Sequence, residues 1–234
     1  MKTLHSQMEV FYNTKNWKNY WINGLKELIK GKVMDVGSGI GSNLPFYLNL
    51  KTIKKLVCLE PDIKLYKKIK RRFHKTKKNK IFFKNTDLSK LRSKEKFDTI
   101  IYADVLEHIK NDLKEIKLAI NHLKIGGRLI ILCPAHNYLF TIFDKNVGHY
   151  RRYNKKMFTR LKVSKTEIEK LYYLDSLGFF LSLLNKVILK RDPKKEEIKL
   201  WDNLVVPMSK VTDYLSSNLF GKSIICVYKK KVDN

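Results

Sequence analysis

Cysteine is scarce in this chain, with three residues, Cys58, Cys133 and Cys226, among 234. All three lie in apolar, strand-like runs. That argues against a disulfide framework or a cysteine-based metal centre and fits reduced core residues of a cytoplasmic protein. Five prolines and ten glycines are too few for a flexible linker, and no repeat or low-complexity segment interrupts the chain. No stretch reaches the roughly 18–20 uninterrupted apolar residues of a membrane-spanning helix. The first ten residues, Met1 to Val10, have no apolar core and no cleavage pattern, so export is not expected. Acids are outnumbered, 22 against 49 basic residues, for a net charge of +27. Arginine is the scarce cation, eight against forty-one lysines. Because arginine is the better reader of bases and phosphates, the excess reads as a lysine-rich surface, and sequence-specific nucleic-acid binding is not expected. The densest basic run, Lys64 to Lys80, fits either the solvated face of a helix or a patch that attracts an anionic membrane or other polyanion.

What is present is a regular alternation. Hydrophobic content of 44% supports one domain with a substantial core. Residues 6–30 read as helical, with Trp21, Leu25, Leu28 and Ile29 at helical spacing. Strand patterns at 32–36, 55–60, 80–84, 98–102 and 128–133 alternate with helix patterns near 42–50, 62–75 and 112–123. Gly126-Gly127 reads as a stop and turn before the fifth strand. A sixth strand at 165–173 is weakly apolar, and a seventh, Ser223 to Tyr228, is clearly so. The alternation predicts an α/β fold with a mostly parallel sheet and helices on both faces. A single domain over 1–234 is expected, with an N-terminal helical cap at 1–30 and elaborations at 134–160 and 175–220. The second elaboration contains the apolar run 177–189. That run is read as a buried helix or one covering the site, as an apolar wall for a lipid-like ligand, or as an interfacial helix.

The chemistry is concentrated at strand ends. Val33-Met34-Asp35-Val36 runs into Gly37-Ser38-Gly39-Ile40-Gly41, a turn that lets backbone approach a ligand closely. Glu60 ends the second strand pattern, nineteen positions after Gly41. Asp87 follows the third, and Asp104 the fourth, leading into Val105-Leu106-Glu107-His108. A dinucleotide-binding fingerprint would place a third glycine where Ser42 stands, and Asp35 adds negative charge better matched to a cation than to a diphosphate.

Together these features resemble the class I S-adenosylmethionine-dependent methyltransferases. The resemblance implies a Rossmann-like sheet of seven strands, the last antiparallel, with S-adenosylmethionine as cofactor. It places Glu60 on the ribose hydroxyls, Asp87 on the adenine amino group with Leu88 against the ring, and the Gly37–Gly41 turn along the methionine portion. Asp104 falls near the amino-acid end. The full set of expected cofactor contacts is Asp35, Gly37, Ser38, Gly39, Gly41, Glu60, Pro61, Asp87, Leu88, Asp104, Val105 and, from the cap, Tyr20. The segment Pro134-Ala135-His136, then Asp144, then Gly148-His149-Tyr150-Arg151-Arg152-Tyr153 resembles a bacterial subgroup that also carries the Val105–Ile109 sequence. The subgroup names no acceptor.

His108 and His149 are the candidate general bases, since histidine titrates near neutrality; His136 is a third. Arg151 and Arg152 either clamp a phosphate or carboxylate or hold their loop to backbone carbonyls. Residues 103–106 do not form the N/D-P-P-Y/F sequence of base-amino methyltransferases, and Cys133 is not placed as a nucleophile. His136-Asn137 is not the Asp-Asn pair of a metal-dependent catechol enzyme, so no catalytic metal is expected. The expected activity is methyl transfer to a small-molecule acceptor, a sugar, glycolipid or lipid-linked intermediate, in the cytoplasm or in peripheral contact with a membrane. A polyketide-, peptide- or quinone-like acceptor, and a non-catalytic protein that binds S-adenosylmethionine or a polyanion, are the alternatives. Oligomeric state is left open.

Overall fold

The computed structural model describes residues 4–76, 80–91, 94–161 and 163–232. Its strands are β1 (Gly31–Val36), β2 (Ile53–Leu59), β3 (Ile81–Lys84), β4 (Phe97–Ala103), β5 (Leu123–Pro134), β6 (Thr166–Leu174) and β7 (Ser223–Lys230). Its helices are α1 (Leu4–Tyr12), α2 (Lys15–Gly24), α3 (Leu44–Asn49), α4 (Ile63–Arg72), α5 (Asp112–Asn121), α6 (Ile142–Val147), α7 (Lys155–Arg160), α8 (Ser176–Leu184), α9 (Lys195–Leu200) and α10 (Val206–Leu215). The strands form one seven-stranded sheet in the order β3-β2-β1-β4-β5-β7-β6. Pairings from β3 through β5 are parallel, and β7 runs antiparallel between β5 and β6.

β1 lies inside the sheet with its last four residues buried. Val33 joins the core built with Trp21, Ile22, Tyr47 and Ile69, while Met34 joins the opposite one, with Ile116, Ala119 and Phe158. This is the period-two geometry of a strand covered on both faces. Cys58 belongs to the first core and Cys133 and Cys226 to the second, all three free and buried. Helix starts follow from local chemistry. Asp62 accepts from the N–H groups of Lys64 (2.7 Å) and Leu65 (3.1 Å) to begin α4, whose last turn, Lys70, Arg71 and Arg72, complements the helix dipole. The remainder of that basic run at 77–79 lies outside the described residues, as do 1–3 of the N-terminal segment.

Two expectations are corrected. The stretch 6–30 is two helices that end at Tyr12 and Gly24, with turns over 25–28, and the break at Thr14 comes from its hydroxyl, which donates to the Phe11 carbonyl (2.7 Å) and diverts the chain from the helical ladder. The fifth strand does not start after Gly126-Gly127 but at Leu123. Phe97 pairs with Leu123 and Thr99 with Arg128, so residues 124–127 bulge out of the ladder, with Gly126 at φ +74°. The sixth strand lies where it was expected, and its apolar pattern is weak because it is an edge, with Glu169 and Lys170 exposed and Glu169 holding Arg128 in a two-pronged pair (2.6 and 2.9 Å).

Candidate active site

The strand order reverses between β1 and β4, which opens a crevice beyond their carboxyl ends. There the structure has a cavity of about 500 Å³. The glycine turn forms one wall through Gly37, Ser38, Gly39 and Ile40. Gly37 (φ +69°) lies so close to Val105 that a Cβ would stand 2.8 Å from its Cγ2, and Gly39 lies under Met8, whose sulfur would be 3.4 Å from a Cβ. Gly41 does not reach the cavity. Its absent side chain makes room for Phe73 and Ile69, so its role in the turn is packing.

Glu60 is buried, with Oε2 accepting from Gly39 N–H (2.7 Å) and Oε1 from Asp62 N–H (2.9 Å). The carboxylate thus fixes the glycine turn onto the end of β2. Asp35, at the end of β1, is pushed up to about 7 by burial, opposed by its hydrogen bond with Ser38 and reinforced by Glu60. Asp87 caps the short turn Leu88–Lys90, accepting from Lys90 N–H (2.9 Å) and the Ser89 hydroxyl (2.6 Å). The Leu88 side chain is in the core, and Pro61 is exposed beside Asn85, whose amide donates to its carbonyl (3.0 Å). Glu60, Pro61, Asp87 and Leu88 therefore stand along the β2 and β3 ends and do not line the cavity.

Tyr20 is corrected. Its hydroxyl donates to Asp213 Oδ2 (2.8 Å), and its ring borders a separate groove with Tyr172 and Asn218. The helical turn puts Trp17, Lys18 and Trp21 on the cavity instead. Met8 and Phe11 of α1 complete that cover, with Glu9 paired to Lys68 and Arg72 of α4.

The other end of the cavity is polar at the sheet and apolar above it. Asp104, an exposed residue, lies on the cavity wall. Desolvation by the protein around it pushes its carboxyl up to about 6, against the pull of His149, Lys222 and Lys18. Glu107 is completely buried, with no hydrogen-bond partner for either carboxylate oxygen among the described residues, and burial raises its pKa well above the ordinary range. His108 and His149 meet edge to face at 4.6 Å. His149 Nδ1 stands 2.8 Å from Asp144 Oδ1. Burial, and His149 beside it, push His108 down to about 4, which makes it a poor proton acceptor and weakens its candidacy as the base. His136 does not line the cavity. It stacks on Tyr173 at 4.6 Å.

The Gly148–Tyr153 loop is built to deliver His149. Gly148 ends α6 in the left-handed region (φ +86°), and Tyr150 N–H donates to the Glu107 carbonyl (2.8 Å). Arg151 donates to the carbonyls of Ile109 (3.0 Å) and Lys110 (2.8 Å), so it holds the loop. Arg152 makes a two-pronged pair with buried Asp144 (2.8 and 2.9 Å) and lines the cavity. Burial alone would raise Asp144, but His149 and Arg152 hold it well below the usual carboxylate range. Glu107, Asp144, Lys18 and Lys222 were not singled out as site residues from sequence. The signal available for Glu107 was its place inside the Val105–Ile109 motif.

Residues 34–129 match the family model described as a methyltransferase domain. The same fold is seen in an S-adenosylmethionine-dependent methyltransferase from Clostridium acetobutylicum, at 16% identity and a TM-score of 0.61, over 94% of this chain and 93% of that one. Coclaurine N-methyltransferase bound to N-methylheliamine and S-adenosylhomocysteine aligns at 13% identity and 0.62, over 93% of this chain and 72% of its own. A complex between the Haloferax volcanii Trm112 methyltransferase activator and a methyltransferase partner aligns at 12% and 0.68, over 98% and 94%. No curated protein matches the sequence. The sheet order and the crevice are those of the α/β fold that these methyltransferases share. The resemblance in sequence is to a methyltransferase domain over residues 34–129, and the resemblance in structure extends over nearly the whole chain.

Proposed function

We propose that the protein methylates the polar head of a small molecule with an apolar tail, a glycolipid or lipid-linked intermediate. The observation that carries this reading is the two-sided character of α8. Its Leu181 and Leu184 line the cavity, while Phe180 and, in the turn beyond, Val187 and Ile188 (61% and 66% exposed) face solvent. Leu204, Met208 and Val211 on the following helices are exposed as well. Exposed apolar side chains in this number mark a contact surface, and the surrounding lysines favour an anionic one. A tail lying along α8 would leave its head among the polar groups at the strand ends.

The residues present fit the cofactor. The glycine turn leaves room for close backbone approach, Glu60 presents a buried carboxylate at the β2 tip, and Asp104 offers an anion to the cationic amino-acid end. When bound, S-adenosylmethionine supplies a methyl group activated by its sulfonium. The chain contributes orientation, by enclosing both partners in one cavity, and water exclusion, through Met8, Phe11 and Trp17. Proton uptake from the acceptor falls to Asp104 and to His149, which Asp144 orients, and both line the cavity where the head would lie.

The test is flotation with vesicles containing phosphatidylglycerol, alongside methylation of extracted lipids with labelled S-adenosylmethionine. Val187→Asp combined with Ile188→Asp should abolish vesicle binding and cut lipid methylation at least tenfold while cofactor affinity stays unchanged. Wild-type protein that neither floats nor labels any lipid, but methylates a water-soluble metabolite, would overturn the reading.

A further inference from the structure

Glu107, His108 and His149 each direct one ligand-type atom to a common space, all such atoms lying within 4.8 Å of one another. We infer that these three residues form a site for one divalent first-row transition ion at the sheet end of the cavity, with open coordination positions facing the acceptor.

Three independent features support it. Glu107 is 0% exposed, and among the described residues neither carboxylate oxygen meets hydrogen-bond geometry with a partner, the weakly donating Cys133 thiol lying beside it. A buried carboxylate left unsatisfied is costly, and native interiors pair such groups or place them on metals. Next, His149 Nε2 faces Glu107 Oε1 at 3.9 Å. That is too long for a hydrogen bond, yet it suits two atoms each about 2.1 Å from a shared ion. Finally, Asp144 Oδ1 stands 2.8 Å from His149 Nδ1. Donation from Nδ1–H to this carboxylate fixes the tautomer and leaves the Nε2 lone pair directed at Glu107. A carboxylate behind a ligating imidazole is the usual outer partner of a metal-binding histidine.

The fold holds this arrangement in place. Glu107 and His108 lie on one turn after β4, and Tyr150 N–H donates to the Glu107 carbonyl (2.8 Å), fastening the loop that carries His149. Arg152 holds Asp144 from its other side. Two imidazoles and one carboxylate suit zinc, iron(II) or manganese better than magnesium or calcium, which prefer all-oxygen shells. Three protein ligands leave positions open for an acceptor oxygen, which a bound cation would polarise and orient. The expectation of no metal came from the segment after β5. These ligands come from the turn after β4 and the loop after α6.

The inference rests on the proposed reading of this cavity as the acceptor site, but its test needs neither acceptor nor lipid. Untagged protein, stripped with chelator, is titrated with Mn²⁺ followed by electron paramagnetic resonance, and with Zn²⁺ by calorimetry. One saturable ion per chain is expected. Glu107→Gln and His149→Ala should each weaken it at least tenfold, with His108→Ala as the second line if either variant has lost its cooperative melting transition. No one-to-one uptake, or uptake unchanged in the folded variants, overturns the site. The vesicle and lipid-labelling results are indifferent to this outcome, so the two readings fail separately.

Discussion

Replacing Asp35 with asparagine should change how stability depends on pH. Burial holds the Asp35 carboxyl up at about 7. In the unfolded chain it titrates near 4. Between those values the folded state keeps a proton that the unfolded state has lost, so stability falls as pH rises, by about 1.4 kcal/mol per unit. The contribution is fully present below pH 4 and gone above about 7, some 3 units or roughly 4 kcal/mol in all. Between pH 5.5 and 8 the loss from this one group is about 2 kcal/mol. Asp104 and Glu107 also titrate upward of their usual range, and His108 downward. The informative quantity is therefore the difference between wild type and Asp35→Asn, in which their contributions cancel. Urea unfolding at pH 5.5 and 8 should show the variant losing about 2 kcal/mol less than wild type. Parallel pH dependences for the two proteins would refute the reasoning and show that Asp35 is ionised in the folded state. Calorimetry in two buffers of different ionisation enthalpy adds a second reading. If the cofactor's positive charge lies near Asp35, binding at pH 6 releases a proton in wild type, and less in the variant.

Glu60→Ala removes the acceptor for two backbone N–H groups at the glycine turn. A charge-assisted hydrogen bond contributes about 1.5–3 kcal/mol, so cofactor affinity by calorimetry should fall by roughly tenfold to a hundredfold or more, with the fold intact by circular dichroism. Retained affinity would take Glu60 out of the site. Gly41→Ala should destabilise by about 1–3 kcal/mol in thermal unfolding, because its Cβ would stand 2.6 Å from Phe73 Cε2 at a left-handed φ of +80°. Gly39→Ala, with only Met8 nearby at 3.4 Å, should cost less stability and more cofactor affinity.

The sheet was legible because its signals are local. Strand ends were marked by Gly37, Glu60 and Asp104, and the core strands by unbroken apolar runs, which central parallel strands require. The break at Thr14 was hidden because it depends on a side chain turning back onto Phe11, and the bulge at 124–127 because two glycines signal a turn and a bulge alike. The glycine turn and the His149 loop were found by motif. Tyr20 was misplaced since a helix offers several aromatic residues and only the packed structure says which face meets the cavity. Glu107 was passed over for a plainer reason. A glutamate beside a histidine looks like surface until the loop carrying His149 folds back over it.

Three buried acids that no motif marks decide how the cavity is roofed. Asp175 begins α8 by accepting from Gly178 N–H (3.0 Å) and also takes the Trp201 indole N–H (2.8 Å) and the Ser209 hydroxyl (2.8 Å). Asp213 accepts from the N–H groups of Asp175 (2.7 Å) and Ser176 (2.8 Å), and from the Tyr20 hydroxyl. Asp202 accepts from the N–H groups of Asn16 (3.2 Å) and Trp17 (2.8 Å), capping the first turn of α2 from a position 185 residues away from Trp17. The insertion between β6 and β7 and the helix before β1 are thus one hydrogen-bonded unit, covering both halves of the cavity. Helix α1 is held at its last turn by buried Lys18, whose Nζ donates to the carbonyls of Phe11 (2.7 Å) and Tyr12 (3.2 Å), while the rest of it is joined by Glu9 with Lys68 and Arg72 and by the Arg72 guanidinium 4.0 Å over the Tyr12 ring. Partly exposed ion pairs contribute about 0–1 kcal/mol each, far less than a set of buried, charge-assisted caps. Opening should therefore begin at the first turns of α1, giving the cofactor its way in and out while the acceptor-side roof stays closed. Amide hydrogen exchange is expected to be faster in the first turns of α1 than in α2 or α8, and to slow there when S-adenosylhomocysteine is added. Equal protection of those turns and of α2 in the ligand-free protein would mean that the cap and the roof open together.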